Sequence, residues 1–172
     1  MAVSESYIEA LREGFRRGNA DTKTEAEIEE IERDFPAYIE SLNAPPEGTI
    51  KVPTGEEFPK VPYETLWLMA GDIFIGEISF RHELNDLLRD FGGHVGYGIR
   101  PSLEGRGYGT LGLKLTRQRA AQMGMDKLLV TCAPDNPASE KIILKNGGIY
   151  ENTLENPFGH GPTKRFWVPT QQ

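Results

Sequence analysis

Between residues 104 and 110 the chain reads Glu-Gly-Arg-Gly-Tyr-Gly-Thr, with Gly105, Gly107 and Gly109 at alternate positions and a helix-forming run, Leu111 to Met123, directly behind. Glycines spaced this way let the backbone take turn dihedrals without a Cβ penalty and let a ligand come close to the amides. Aligned amides at the positive end of a helix dipole form an anion site. Ahead of the loop, His94 to Arg100 reads as a strand that Pro101 stops, so the unit is strand, glycine loop, helix. The apolar residues of the helical run scatter around the wheel, and the expectation of a helix there rests on composition and on Gly124 as its stop.

Two phosphate-binding motifs fail on spacing. A nucleotide P-loop needs Lys-Ser/Thr after its last glycine, whereas Gly109 is followed by Thr110-Leu111 and the first lysine is Lys114. A dinucleotide fingerprint needs G-x-G-x-x-G, and these glycines are evenly spaced. The segment instead resembles the acyl-CoA loop of the GNAT N-acetyltransferase superfamily, Arg/Gln-x-x-Gly-x-Gly/Ala, with Gly107 and Gly109 at the two small positions. A second match follows at the family's spacing. The strand-like Lys127 to Ala133 leads into Asp135-Asn136-Pro137-Ala138-Ser139 and then Lys145-Asn146-Gly147-Gly148. This resembles the family's asparagine-opened helix ending in Lys-x-Gly-Phe. Without any family, Asn136 is a good N-cap, Pro137 a good first helical residue and Gly147 a good stop. The likeness spans Trp67 to Val168, and its wording resembles a little-characterised branch of acetyltransferases that implies no particular acceptor.

The resemblance implies an α/β (α+β) GNAT fold: a mixed, mostly antiparallel sheet, splayed where CoA enters, with helices on both faces. It implies an N-acetyltransferase that moves an acetyl group from acetyl-CoA, as cosubstrate, to a primary amine by direct transfer in a ternary complex. Loop amides would hold the pyrophosphate, placing Gly105, Arg106, Gly107, Tyr108, Gly109 and Thr110 at the phosphates. Ile99 and Arg100 would lie beside the pantetheine arm, and Asn136 and Ser139 would approach from the other side. Two positions depart from the family's pattern. Its first Arg/Gln is Glu104 here, and the tyrosine that often protonates the leaving thiolate, seven residues after the asparagine, is Ile143. Isoleucine cannot donate a proton, so an acyl-CoA-binding sensor without turnover is the alternative reading.

Candidates for proton chemistry come from the strands. His94 has the titration range of a base, Glu77 in Ile75-Gly76-Glu77-Ile78 can alternate into a cleft, and Tyr97 can donate a proton. Each has a structural counterpart: a histidine between glycines, a paired strand carboxylate, a packing tyrosine. Cys132 has no base supplied by the sequence and reads as a buried strand residue. His82 and His160 read as loop residues, and the histidines show no metal-ligand spacing, so no metal is expected.

Composition narrows the class. The chain has 172 residues, one domain's worth: residues 1–62 would carry N-terminal helices and a Pro-rich loop, and 63–172 the core sheet with the acyl-CoA site. A net charge of −7 argues against a nucleic acid or an anionic membrane as partner. One cysteine excludes an intrachain disulfide and fits a reducing cytoplasm. No apolar run approaches the roughly 20 residues of a membrane span.

Along the chain, Ser4 to Arg17 reads as an amphipathic helix with Tyr7, Leu11 and Phe15 on one face. Thr24 to Leu42 reads as a second, N-capped by Thr24, striped by Ile28, Ile31, Phe35 and Ile39, with Pro36 as a kink or break and its glutamates facing water. Asn43 to Pro62, with five prolines, reads as a long loop suited to lining an acceptor pocket. Glu64 to Ala70 and Asp72 to Phe80 read as a tight hairpin, and Arg81 to Phe91 as a helical turn or loop. Beyond the glycine loop come the helix Pro137 to Asn146 and strands near Ile149 to Asn152 and at Lys164 to Val168. The last is open to pairing within the chain or with a partner strand in a homodimer.

Overall fold

The computed structural model describes residues 2–18, 20–159 and 161–171; His160, read above as a loop residue, lies outside them. Two three-stranded antiparallel sheets carry the molecule. The first contains β3 (Tyr63–Ala70), β4 (Ile73–Arg81) and β5 (Val95–Ile99) in that order, and the second β6 (Lys127–Cys132), β8 (Thr163–Pro169) and β7 (Ile149–Leu154). The β3–β4 hairpin turns on Gly71-Asp72, with Gly71 at φ 59°. β8 pairs with β6 on one side and β7 on the other, so both its edges are taken within the chain and the partner-strand arrangement for Lys164–Val168 does not hold.

The sheets meet at one end and part at the other. Where they meet, the His94 N–H donates to the Leu129 carbonyl at 2.8 Å and the Leu129 N–H donates to His94 Nδ1 at 2.8 Å. Gly93, at φ 63°, makes the contact feasible, since a Cβ there would lie 2.6 Å from the Leu129 carbonyl oxygen. Towards Ile99 on one side and Cys132 on the other, a groove opens between β5 and β6.

On one face, α4 (Tyr108–Gln122) and α5 (Pro137–Lys145) cover a core that includes Ile78, Phe80, Leu113, Leu128, Ile143 and Phe166. The scattered leucines of α4 misled the periodicity reading: its buried positions are Gly109, Gly112, Leu113, Thr116, Arg117 and Ala120, a clean stripe at three- and four-residue steps. Small residues bring the helix axis close to the sheet, and Leu111 and Leu115 point to solvent.

On the other face lie α1 (Val3–Arg12), α2 (Glu25–Arg33) and α3 (Phe35–Leu42), around an aromatic core of Tyr7, Phe15, Phe35, Tyr38, Trp67 and Phe74. α1 stops at Arg12, short of the sequence reading, because Gly14 takes φ 88° and closes the end, with Phe15 N–H returning to the Ala10 carbonyl. Phe15 is still buried, just beyond the helix. Pro36 does break the second helix: Asp34 caps the new one by accepting from Ala37 N–H, and Pro36 sits in its first turn, where no N–H is needed. Thr24 caps α2 as read, in a reciprocal box with Glu27. The long loop holds a short hairpin of its own, β1 (Thr49–Lys51) against β2 (Glu57–Pro59). The stretch read as Arg81 to Phe91 ends in a one-turn π-helix, Leu88–Gly92, that runs one residue beyond it.

Candidate functional site

The groove between the half-sheets has a volume of about 1210 Å³ and runs from the glycine loop, past β5, to Arg81 and the β1–β2 hairpin. Residues 50–53 of the Pro-rich segment form part of its wall.

At one end, Gly105 and Gly107 hold φ values of 73° and 88°, and Gly107 is the N-cap of α4 with no side chain capping the helix. The first backbone bond back into the turn is Leu111 N–H to the Gly107 carbonyl at 3.1 Å, which leaves the amides of Tyr108, Gly109 and Thr110 without intrahelical acceptors. A Cβ built on Gly105 or Gly107 meets nothing within 4 Å, while one on Gly109 would lie 2.6 Å from Ile142 Cδ1. The first two glycines serve the turn and the third serves helix packing. Asn146, 3 % exposed, donates to the Thr110 carbonyl at 3.2 Å and so ties the end of α5 to the first turn of α4. Nothing in the sequence but an asparagine beside a helix stop pointed to it. Lys141 and Lys145, one turn apart on α5, also line the groove.

The loop arginines lie elsewhere than expected. Arg100 is buried and turns away from the groove: its guanidinium bonds Glu9 and the Ser6 carbonyl and hydroxyl on α1, and Glu13 just past its end. Glu13, held below the usual carboxylate range chiefly by Arg100, also accepts from Ser102 N–H. Arg100 therefore anchors the loop to α1 and does not lie beside a groove-bound arm. Arg106 is exposed and donates to the Ser102 carbonyl at 3.1 Å, bracing the loop from outside.

Along β5 the Arg100 N–H donates to the Ile75 carbonyl. In an antiparallel ladder the alternate residues Tyr97 and Ile99 then present their backbone groups away from β4, towards the groove. Gly18 N–H already reaches the Tyr97 carbonyl at 3.2 Å. The Tyr97 hydroxyl lies 2.7 Å from Ser139 Oγ, linking β5 to the first turn of α5 across the groove, and burial pushes its pKa up to about 12. Asn136 accepts from Ser139 N–H at 3.0 Å, so its oxygen caps α5. Ile143 is wholly buried in the core.

His94 and Glu77 are both committed. The His94 Nδ1 lone pair is taken by Leu129 N–H, and burial pulls the imidazole down to about 4; it fastens the two sheets, and its basic nitrogen is not free to collect a proton. Glu77, 5 % exposed, accepts from Arg17 Nη1 at 2.9 Å and from Trp67 Nε1 at 3.0 Å. Cys132 is buried, with its thiol pushed up to about 11 by burial first and by Glu140 second, so it is a poor nucleophile. His82 lies 3.7 Å from Glu64 on β3. Among the described residues, no group of three or more His, Cys, Asp or Glu side chains is placed to hold a metal, and no helix is long and apolar enough to cross a membrane.

Charge sets the groove apart from the rest of the protein. Six lining residues are cationic, Arg16, Arg17, Lys51, Arg81, Lys141 and Lys145, against one acid, Glu104, in a chain of net charge −7.

A family model for the GNAT acetyltransferase domain matches residues 27–149. No curated protein matches the chain. Among solved structures, RimJ of Mycobacterium smegmatis in complex with a CoA disulfide aligns with a TM-score of 0.63 at 13 % identity, over 96 % of this chain and 77 % of its own. A GNAT-family acetyltransferase from Bacillus anthracis aligns with a TM-score of 0.57 at 16 % identity, over 99 % and 86 %. YncA of Salmonella typhimurium, a putative acetyltransferase with its cofactor acetyl-CoA, gives 0.52 at 15 %, over 99 % and 87 %. At these identities the likeness to the solved structures is one of fold.

Proposed function

The chain belongs to the GNAT acetyltransferase family, and we propose that it transfers an acetyl group from acetyl-CoA to a primary amine by direct attack within a ternary complex. The observation that carries this reading is the basic groove ending on the uncapped N-terminus of α4, where three free amides converge. A pyrophosphate suits that end through helix dipole, backbone donors and the Thr110 hydroxyl. Lys141 and Lys145 add charge beside it, and the open edge of β5 at Ile99 can pair with an extended amide-bearing arm.

Acetyl-CoA supplies an activated thioester; the protein's share is to orient it and to manage two protons. Tyr97 is the donor suited to the departing thiolate, because it faces the groove, stays protonated over the whole working pH range and is held in place by Ser139. It stands in for the tyrosine that Ile143 replaces, which favours an enzyme over a non-catalytic acyl-CoA sensor. With His94 spent on the sheet contact, the amine proton leaves through water, and Glu77 acts through its hold on Arg17. The poor nucleophilicity of Cys132 favours direct transfer over an acyl-enzyme. We read residues 1–172 as one domain, whose N-terminal 62 residues wall the acceptor side, working in a reducing cytoplasm.

Calorimetry with acetyl-CoA tests this. The wild type should bind in the micromolar range, and Gly107→Glu, which puts a carboxylate and a strained φ into the cradle, should abolish binding. Thiol release with a broad amine panel should follow, with intersecting initial-rate lines. Binding that survives Gly107→Glu would sink the assignment; tight binding without any release would favour the sensor.

A further inference from the structure

Arg81 is a groove cation without a carboxylate partner among the described residues. Among the described residues its guanidinium bonds only two carbonyls, Gly92 at 3.3 Å and Gly93 at 3.0 Å, both from Nη1. None of the ion pairs among them involves it. Nη2 hangs over the bare α-carbon of Gly96, and a Cβ built there would meet nothing else within 4 Å. Burial first, and the Arg17 charge second, pull this guanidinium down to about 10. Geometry puts Arg17 on the same stretch of wall: Gly18 N–H bonds the Tyr97 carbonyl, next to the Gly96 that Arg81 covers, and both half-buried arginines line the groove. Arg17 is offset by Glu77; among the described residues no carboxylate pairs with Arg81. Guanidinium groups so placed present a planar fork to an oxyanion.

The phosphates of acetyl-CoA cannot be that anion if they sit on the α4 amides. Arg81 lies opposite His94 in the ladder and its Nη2 reaches over Gly96, three residues upstream of Ile99 on β5, which at 3.3 Å per residue is about 10 Å short of the strand end that leads into the glycine loop. The space between belongs to the arm and the acceptor. Its remaining wall, Lys51 and Arg16, adds positive charge and no carboxylate. A polycationic acceptor would be repelled there.

We propose that the acceptor is an amine carrying its own anionic group, a carboxylate or a phosphate, which Arg81 and Arg17 clamp at the far end of the groove. The inference rests on the acetyl-CoA reading above and narrows its acceptor class.

The test uses the full chain saturated with CoA, so that the phosphate cradle is filled first and its failure is read separately. This complex is titrated with 2-aminoethyl phosphate, β-alanine, ethanolamine and spermidine, and the same amines are then assayed for thiol release with acetyl-CoA. One or both anionic amines should bind and turn over at least about tenfold better than ethanolamine, the size of effect expected for a charge-assisted hydrogen bond. Arg81→Gln should remove that preference while leaving CoA affinity unchanged. Because Arg81 also ties the Leu88–Gly92 turn, Arg17→Gln serves as an independent variant, with the same loss expected. Ethanolamine or spermidine bound as well as the anionic amines, no anionic amine bound to the CoA complex, or a preference that survives both substitutions would each overturn the proposal. If CoA itself fails to bind, the acetyl-CoA reading falls first.

Discussion

Burial acts on Tyr97 and His94, three positions apart on the same stretch of chain, and in both it favours the uncharged form. For Tyr97 this means a phenol that remains a proton donor at every practical pH. Tyr97→Phe should lower kcat about tenfold, at the modest end for a lost general acid because a CoA thiolate leaves readily, with KM for acetyl-CoA unchanged. The wild-type rate should show no alkaline fall from this group below about pH 10; steady-state kinetics across pH reads both. For His94 the neutral form is what the Leu129 contact requires. Its folded pKa, about 4, lies below the unfolded value near 6.5, so the unfolded chain binds the proton more readily. The stability is complete above pH 6.5 and drains as pH falls towards 4, with about 2 kcal/mol lost by pH 5. Urea unfolding at pH 7 and pH 5 should show this drop, and His94→Asn, which keeps an acceptor for Leu129 N–H, should flatten it. The sequence leaned towards a structural histidine between glycines over a base, but it could not show the Leu129 contact that gives His94 that role. Arg100 was misplaced for a related reason: its partners Glu9 and Glu13 lie some ninety residues away in the chain, and no local pattern encodes that meeting.

At the scale of elements, glycine tells two different stories. Gly98 on β5 faces the backbone of the segment after α1, and a Cβ there would lie 2.1 Å from the Arg16 carbonyl oxygen. Gly112 on α4 faces only the tip of Ile78, at 3.1 Å from a built Cβ. Gly98→Ala should therefore destabilise by about 1–3 kcal/mol, since backbone rather than a side-chain end must move. Gly112→Ala should be near neutral, its crowding offset by about 1 kcal/mol of helix propensity. Thermal unfolding of the two variants side by side separates them. The same glycines explain which elements could be read in advance. Strands and helices with large apolar residues at regular steps, such as Tyr63–Ala70 and Ile73–Arg81, lay close to their sequence boundaries. α4 was read from composition, from Gly124 as its stop and from the family resemblance, because its inward face is written in glycine, threonine, arginine and alanine around a single leucine, Leu113, which a search for leucine stripes passes over. The β1–β2 hairpin was hidden among prolines, where three-residue strands leave no alternation to see.

At the scale of the whole molecule, two fields compete for a polyanionic ligand. The net charge of −7 repels it at long range, and Lys141, Lys145 and the α4 amides attract it at the phosphate end of the basic groove. The glycine loop was legible because phosphate chemistry constrains it locally; the basic lining was not, since its cations come from the α1–α2 connection, β1, β4 and α5 and meet only on folding. Salt decides which field governs. Raising ionic strength from 0.01 to 0.5 M shortens the screening length from about 30 Å to about 4 Å. If the global charge controls acetyl-CoA binding, that change removes a repulsion and tightens the complex. If the groove controls it, the same change weakens the complex. Phosphates seated on the α4 amides, as proposed, would lie on the same groove wall as Lys141 and Lys145 and between low-dielectric walls, which favours the groove. Affinity should therefore fall by about tenfold or more across this range, and the loss should shrink in Lys141→Gln/Lys145→Gln, where less attraction remains to be screened. Calorimetric titrations at four salt concentrations suffice, and a slope of the opposite sign would place acetyl-CoA outside the groove.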